Sequence, residues 1–165
     1  MDKNWLTVED TEYGKVLTEC SSDAEGKIII PDGVTKIGDL AFVGCANLKS
    51  IQIPDSVTEI GYSAFCHCTG LTKLEIPDSV TEIGDRAFMG CTQMSSIKIS
   101  NNVTAIGGET FAKCISLTSV TLPSSVADIC CTAFHDCPPS IVIKMSHNAP
   151  YVINISGGGM KITRG

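Results

Sequence analysis

The 165-residue sequence has too few basic residues and too few long apolar stretches for two large classes of function. It contains 12 lysines and arginines against 18 acidic residues, which gives a formal charge of −6. Nucleic-acid binding draws on a concentrated Lys/Arg field, so we expect no nucleic-acid partner. No stretch approaches the ~20 apolar residues of a membrane-spanning helix, so we expect no membrane insertion.

Motifs for catalysis and for bound cofactors are also missing. A hydrolase brings together a nucleophile, a base and an orienting group, and the chain has three histidines, none tied to a serine by a nucleophile-elbow motif. C-x-x-C is absent, and the glycines at 157–159 are not followed by the Lys-Ser/Thr of a phosphate loop. We therefore predict a protein that is not an enzyme and carries no metal or other cofactor.

The first ten residues lack the features of a secretory signal. "MDKNWLTVED" has neither a positively charged start nor an apolar run of signal-peptide length. Nine cysteines without an evident pairing scheme favour a reducing compartment. These letters alone predict a cytoplasmic protein, although a leader removed from the natural chain would leave the same sequence.

Repetition is what the sequence has in abundance. "IPDSVTEIG" occurs at 53–61 and again at 76–84, and rows of 23 residues counted from Ile30 bring the chain into register. One column of these rows contains every phenylalanine of the protein: Phe42, Phe65, Phe88, Phe111 and Phe134. A period of this length is typical of a solenoid in which each repeat buries its apolar residues against its neighbours.

Each row contains one strand pattern followed by a turn pattern. Leu48-x-x-Ile51-x-Ile53 alternates at its end, which predicts a short strand with one buried face. Proline then ends the strand in four of the rows, since it lacks the N–H of a ladder bond. A glycine and an Ala-Phe pair follow, as at Gly84 and 87–88, which predicts one or two helical turns that pack phenylalanine inward. The return of about 18 residues suits a parallel crossover.

The row L-x-x-I-x-I-P-x-x-V-x-x-I-G-x-x-A-F-x-x-C resembles the BspA-type leucine-rich repeat of many bacterial and some protozoan proteins. The resemblance covers five rows over 30–143. It implies an α/β repeat solenoid, a right-handed superhelix with a parallel β-sheet on one face and short helical turns on the other. We predict an N-terminal cap over 1–29 and a C-terminal cap hairpin over 144–165, because an uncovered strand edge invites aggregation.

The cysteines divide into one column and four others. The column should be buried, because stacked side chains run parallel and cannot pair fully; it contains Cys45, Cys68, Cys91, Cys114 and Cys137. The other four are Cys20, Cys66, Cys130 and Cys131. The runs "CHC" at 66–68 and "CC" at 130–131 leave open a thiol-based redox or metal-binding protein as an alternative function.

The outward positions of the strands are the candidate contact surface. Alternation predicts that they include Ser50, Gln52, Lys73, Glu75, Ser96, Lys98 and Thr121. Glu75 should pair with Lys98 on the adjacent strand. We predict a monomeric, non-enzymatic protein–protein interaction module that presents this face to a protein partner. The resemblance implies one specific version, a bacterial cell-surface adhesin that binds host extracellular matrix proteins, whereas the thiols favour an intracellular scaffold.

Overall fold

Each 23-residue row folds as one turn of a β-solenoid that contains two short strands. The computed structural model describes residues 5–145, 151–156 and 159–164. The strands are β1 (Leu6–Thr11), β2 (Gly14–Cys20), β3 (Gly26–Ile29), β4 (Val34–Ile37), β5 (Leu48–Gln52), β6 (Glu59–Ile60), β7 (Lys73–Glu75), β8 (Glu82–Ile83), β9 (Ser96–Lys98), β10 (Ala105–Ile106), β11 (Ser119–Leu122), β12 (Asp128–Ile129), β13 (Val142–Met145), β14 (Tyr151–Ser156) and β15 (Gly159–Arg164).

The predicted strand of each row is confirmed. β3 pairs with β5, and β7, β9, β11 and β13 pair in order, all parallel. The register advances by one row, so that Leu74, Ile97, Val120 and Ile143 face one another across the ladder. All four are buried, because alternation along a strand sends every second side chain into the core.

A second ladder runs along another side of the solenoid, and the sequence did not predict it. β4, β6 and β8 pair in parallel, as do β10 and β12. The N-terminal hairpin of β1 and β2 extends this sheet, since β2 pairs in parallel with β4. Most of these strands have two residues, which is too short for a period of two to show in the sequence. β14 and β15 form an antiparallel hairpin.

The prediction of helical turns between the two strands of a row is wrong. The described residues contain no helix, and so none that is long and apolar enough to cross a membrane. Backbone N–H groups alternate between two uses. The Ala41 N–H donates to Gly38 O within the row, whereas the Phe42 N–H donates to Ala64 O in the next row. An α-helix uses each N–H within its own segment. Here every second N–H of the segment donates to the neighbouring row, so a helix cannot form.

Left-handed residues recur on this side of the solenoid and break any helix. One column has φ between 51° and 60° at Leu40, Ser63, Arg86 and Glu109, and a second has φ between 58° and 73° at Gly44, His67, Gly90, Lys113 and Asp136. L-residues enter this region singly and not as helices. The segment is therefore a chain of turns in which alternate peptide groups point to the neighbouring row.

A column of stacked phenylalanine rings forms the centre of the core. The five rings are buried, and successive ring centroids lie 4.9, 5.5, 5.5 and 5.3 Å apart. Interplanar angles of 5° to 19° make the rings nearly parallel. The spacing of the rows sets this geometry, because every ring occupies the same position in its row.

Close stacking also predicts where a single methyl group is not tolerated. A Cβ built on Gly84 would lie 2.6 Å from Tyr62 N and 2.7 Å from the carbonyl carbon of Gly61, both backbone atoms of the preceding row. We expect Gly84→Ala to lower the free energy of unfolding by about 1–3 kcal/mol or more. Urea unfolding measures the change.

Gly108→Ala is the matched control, since the nearest atom to a Cβ there, Thr132 Oγ1, is 3.7 Å away. This variant should stay within about 0.5 kcal/mol of the parent protein. Equal unfolding midpoints for Gly84→Ala and Gly108→Ala would contradict the close approach of the rows.

Candidate functional site

The outward side chains of β3, β5, β7, β9, β11 and β13 form a continuous surface, which we call the strand face. It consists of Lys27, Ile29, Ser50, Gln52, Lys73, Glu75, Ser96, Lys98, Ser119, Thr121, Val142 and Lys144, all exposed or half-buried. All seven residues predicted as contacts lie on it. Each is flanked in its strand by a buried neighbour, so the core fixes the direction in which the side chain points.

The strand face is basic although the chain is acidic. It carries four lysines and one carboxylate, Glu75, whereas the whole chain has a charge of −6. The predicted pair is confirmed, because Lys98 Nζ donates to Glu75 Oε1 at 2.9 Å, and this bond raises the pKa of Lys98. The two side chains are 61% and 73% exposed, so the pair adds little stability. The other three lysines form no ion pair with any residue that the structure describes.

The strand ladder is interrupted between β5 and β7, which do not pair as strands in the described structure. At three other row interfaces the residue after the strand donates a backbone bond to the next row: Ile30 to Gln52, Ile76 to Lys98 and Ile99 to Thr121, at 3.0, 3.2 and 3.4 Å. No such bond joins Ile53 N to Glu75 O. The carboxyl ends of β5 and β7 are therefore not held together as their neighbours are.

An open depression of about 530 Å³ lies over this interruption. The polar residues and the proline that line it are Lys27, Ser50, Gln52, Asp55, Glu75 and Pro77, with Ile51 and Ile53 beside them. Three of these, Ser50, Gln52 and Glu75, were predicted as contact residues. Lys27, Asp55 and Pro77 were not; the last two follow the strands, where the alternation rule does not apply.

The rim beside the strand face is held by acids that bond to the next row. Asp78 accepts hydrogen bonds from Asn101 N at 2.9 Å and from Asn101 Nδ2 at 3.1 Å. These bonds lower the pKa of Asp78. Row four has "ISNN" in place of "IPDS", and its Ser100 hydroxyl donates to Val80 O at 2.6 Å. The departure from the repeat is thus compensated by side-chain bonds to row three.

The cysteine column is a hydrogen-bonded ladder. Four of its five thiols donate to the phenylalanine carbonyl of the preceding row: Cys68 to Phe42, Cys91 to Phe65, Cys114 to Phe88 and Cys137 to Phe111, at 3.0, 3.2, 3.2 and 3.0 Å. The fifth, Cys45, donates to Ser21 O at 3.6 Å. Burial raises the pKa of the Cys114 thiol to about 12 and that of Cys137 to about 11. The predicted burial is confirmed, although Cys137 in the last row is half-buried.

The three cysteines outside the column that could support thiol chemistry differ in their exposure to solvent. Cys66 is buried, and burial raises its pKa. Cys130 is half-buried, and hydrogen bonding with Thr132, whose hydroxyl lies 3.4 Å away, lowers its pKa. Cys131 is exposed. Among the side chains that the structure describes, no three metal-ligating groups converge.

The histidines are separated along the stack. His67 lies against Gly90, and His135 Nε2 lies 3.5 Å from Asp136 Oδ2. Neither imidazole bonds to a serine in the described structure, and His147 lies outside the described residues. These positions offer no arrangement of nucleophile and base.

A cluster of charged and aromatic side chains on the turns was not predicted. Arg86 Nε bonds to Glu109 Oε2 at 3.0 Å, and Arg86 Nη1 bonds to the Tyr62 hydroxyl at 2.9 Å. Arg86 and Glu109 are 23 residues apart, as are Lys36 and Glu59, which also pair. An opposite charge one repeat away was the signal available in the sequence.

The raised thiol pKa values predict that stability falls at alkaline pH. Above the ordinary value of 9.0 an unfolded Cys114 loses its proton, whereas the folded one keeps it up to about 12. Ionisation then favours the unfolded chain, so the free energy of unfolding should fall by up to ~1.4 kcal/mol per pH unit for each such thiol.

Cys114→Ser retains a donor for Phe88 O and removes the titration. Urea unfolding between pH 9 and pH 11 should show a shallower decline for this variant than for the parent protein, by up to ~1.4 kcal/mol per pH unit. Between pH 6 and pH 8 the two proteins should show the same slope, because the thiol is protonated in both states. Equal slopes above pH 9 would refute the raised pKa of Cys114.

Sequence comparison identifies the repeat. The family model described as "BspA type Leucine rich repeat region" matches residues 19–140 in six copies. No curated protein matches the sequence.

Solved structures share the fold. The T. pallidum leucine-rich repeat protein is 31% identical with a TM-score of 0.78, over 87% of this chain and 70% of that one. A leucine-rich repeat protein of Eubacterium ventriosum is 24% identical with a TM-score of 0.74, over 88% of this chain and 41% of that one. A leucine-rich cell surface protein of Faecalibacterium prausnitzii is 22% identical with a TM-score of 0.58, over 96% and 59%. The chain therefore spans less than two thirds of two of these three proteins.

Proposed function

This chain belongs to the BspA-type leucine-rich repeat family, and we propose that it is a non-enzymatic module whose strand face binds a protein partner. The observation that supports this proposal is the freedom of the strand-face side chains. From Lys27 to Thr121, the described structure shows one side-chain hydrogen bond among them, between Lys98 and Glu75. A side chain without a structural bond can be chosen for a partner at no cost to the fold.

The second ladder does not have this freedom. Lys36 of β4 pairs with Glu59 of β6, and the threonines that precede β6 and β8 bond to the preceding row, Thr58 Oγ1 to Thr35 O at 3.2 Å and Thr81 Oγ1 to Thr58 O at 3.3 Å. The turn side is similarly occupied, since Asp39 Oδ1 accepts from Tyr62 N at 2.9 Å. These sides hold the stack together, which leaves the strand face as the best candidate for recognition.

The proposed face is tested by affinity capture with matched variants. The protein with Lys73, Glu75 and Lys98 replaced by alanine should lose partners that the parent retains. The melting temperature should change by no more than about 2 °C, because the one bond lost, between Lys98 and Glu75, is an exposed pair that adds little stability.

The control variant carries alanine at Lys15, Glu82 and Lys113, three exposed residues away from the strand face, and so also removes two lysines and one glutamate. Proteins retained by the parent and by this control, but lost from the triple variant, are the expected result. A partner held equally by the triple variant would place the binding site away from the strand face.

A cell-surface adhesin is the specific version favoured by one observation, the cell-surface description of the F. prausnitzii relative. That likeness is one of fold, so the location of this protein needs its own test. We expect protease added to intact native cells to cleave the protein. Protection before lysis, with cleavage after lysis, would contradict the adhesin version and leave an intracellular scaffold as the function of the same face.

A further inference from the structure

The lysines of the strand face follow the axis of the solenoid in a regular order. Lys27 and Lys73 occupy one outward column, two rows apart, and Lys98 and Lys144 occupy the other column, again two rows apart. Glu75 is the one acid among the outward strand positions, and its carboxylate is engaged by Lys98. The face therefore presents cations from its first strand to its last.

We propose that the strand face binds an extended acidic segment of a partner protein, which lies along the solenoid axis with carboxylates at these four lysines. The proposal rests on the proposed function and specifies the chemistry of the partner. On a molecule of charge −6 the remaining sides are net negative and repel a negative segment, so the strand face is the side that attracts one. Such complementarity sets specificity and association rate.

The dimensions of the face favour an extended segment. Six strands stand about five strand spacings apart from first to last, or roughly 24 Å at ~4.8 Å each. About seven residues of extended chain cover that length at ~3.4 Å per residue. The face is two outward columns wide and offers no aromatic or arginine anchor. Compact protein interfaces usually depend on such anchors, whereas an extended chain can rely on charge and backbone contacts.

The depression gives an extended chain a place to form backbone bonds. Ile53 N and Glu75 O are not bonded to each other, and both residues line this depression. One donor and one acceptor of the main chain are the groups that a passing peptide backbone satisfies. Ser50 and Gln52 add side-chain hydrogen-bonding groups at the same point.

The acids near the centre argue against a uniformly charged polymer such as a sulfated polysaccharide. Glu75 and Asp55 both line the depression, and a dense polyanion would place charge beside them. A peptide can instead carry carboxylates opposite the lysines and neutral residues between. The cations of the face are also all lysines, whereas planar arginine is the better match to sulfate and phosphate groups.

The test is an NMR titration of the full chain with a defined probe, the peptide (Asp-Ser-Gly)₄. Backbone amide shifts should be confined to the strand face and the rim of the depression. Raising the salt from about 50 to 300 mM should weaken binding several-fold, because exposed charge pairs are screened. The peptide (Asn-Ser-Gly)₄ should produce no shifts.

Matched charge reversals locate the effect. Lys73→Glu with Lys98→Glu should weaken binding of the acidic peptide at least about tenfold, since two attractive contacts become repulsive. Lys15→Glu with Lys113→Glu makes the same change of charge on other sides of the molecule and should leave the affinity within about twofold.

Three outcomes would overturn the proposal. The first is an absence of shifts at about 2 mM acidic peptide, a concentration that detects millimolar binding. The second is equal binding of the asparagine peptide. The third is tighter binding of a heparin octasaccharide at the same lysines, which would identify a sulfated sugar as the ligand.

The capture experiment separates these failures from failure of the proposed function. If the peptide result is negative but a captured protein still depends on Lys73, Glu75 and Lys98, the acidic-segment inference falls and the protein-binding function stands. If neither depends on the strand face, both fall.

Discussion

Hydrogen bonds between successive rows are the interaction on which the structure depends. A solenoid has no single closed core, so each row buries its apolar side chains against the rows beside it. The bonds on all sides fix the step: Phe42 N to Ala64 O at 2.7 Å and Phe88 N to Thr110 O at 2.9 Å on the turn side, and parallel strand pairing on the other two. A row whose backbone N–H and C=O groups did not match this spacing would lose its hydrogen bonds to both neighbouring rows.

This constraint explains which positions repeat and which vary. The phenylalanine and cysteine columns are the same in all five rows, because each ring stacks on the ring of the next row and each thiol bonds to a carbonyl one row back. The outward column at 35, 58, 81 and 104 is threonine in every one of those rows, and its hydroxyls at 58 and 81 serve the stack. The outward strand column at 27, 50, 73, 96, 119 and 142 reads Lys, Ser, Lys, Ser, Ser, Val. Variation from row to row thus marks outward side chains that take no part in the bonds between rows.

The same reasoning shows what the sequence could and could not predict. Strands, core columns and the Glu75–Lys98 pair follow from alternation and a 23-residue period, and all are present. The turns do not follow, because left-handed backbone at His67, Lys113 and Asp136 has no signature in those residue types. Gly44 and Gly90 in the same column were the available sign, since glycine adopts this conformation without strain.

The interruption beneath the candidate site was beyond prediction for a different reason. It lies between β5 and β7, whose rows share "IPDSVTEIG", so no difference in these nine residues marks it. The two-residue strands of the second ladder were also hidden, because a period of two needs more than two residues to appear. Composition and periodicity predict what all rows share. The depression arises at one interface only, between β5 and β7, so these signals cannot predict it.

The charge of a solenoid has to be considered separately for each of its sides, because the net charge of the whole chain does not describe any one of them. Several acids of the turns and rim accept backbone N–H groups from the next row, as Asp78 does from Asn101 and Asp85 from Gly108. Their negative charge is part of how the rows join. Three strand-face lysines, Lys27, Lys73 and Lys144, have no such role in the described contacts, so they remain available to a ligand. A chain of charge −6 can therefore present a basic surface, because several of its acids bond within the stack whereas three lysines of the strand face do not.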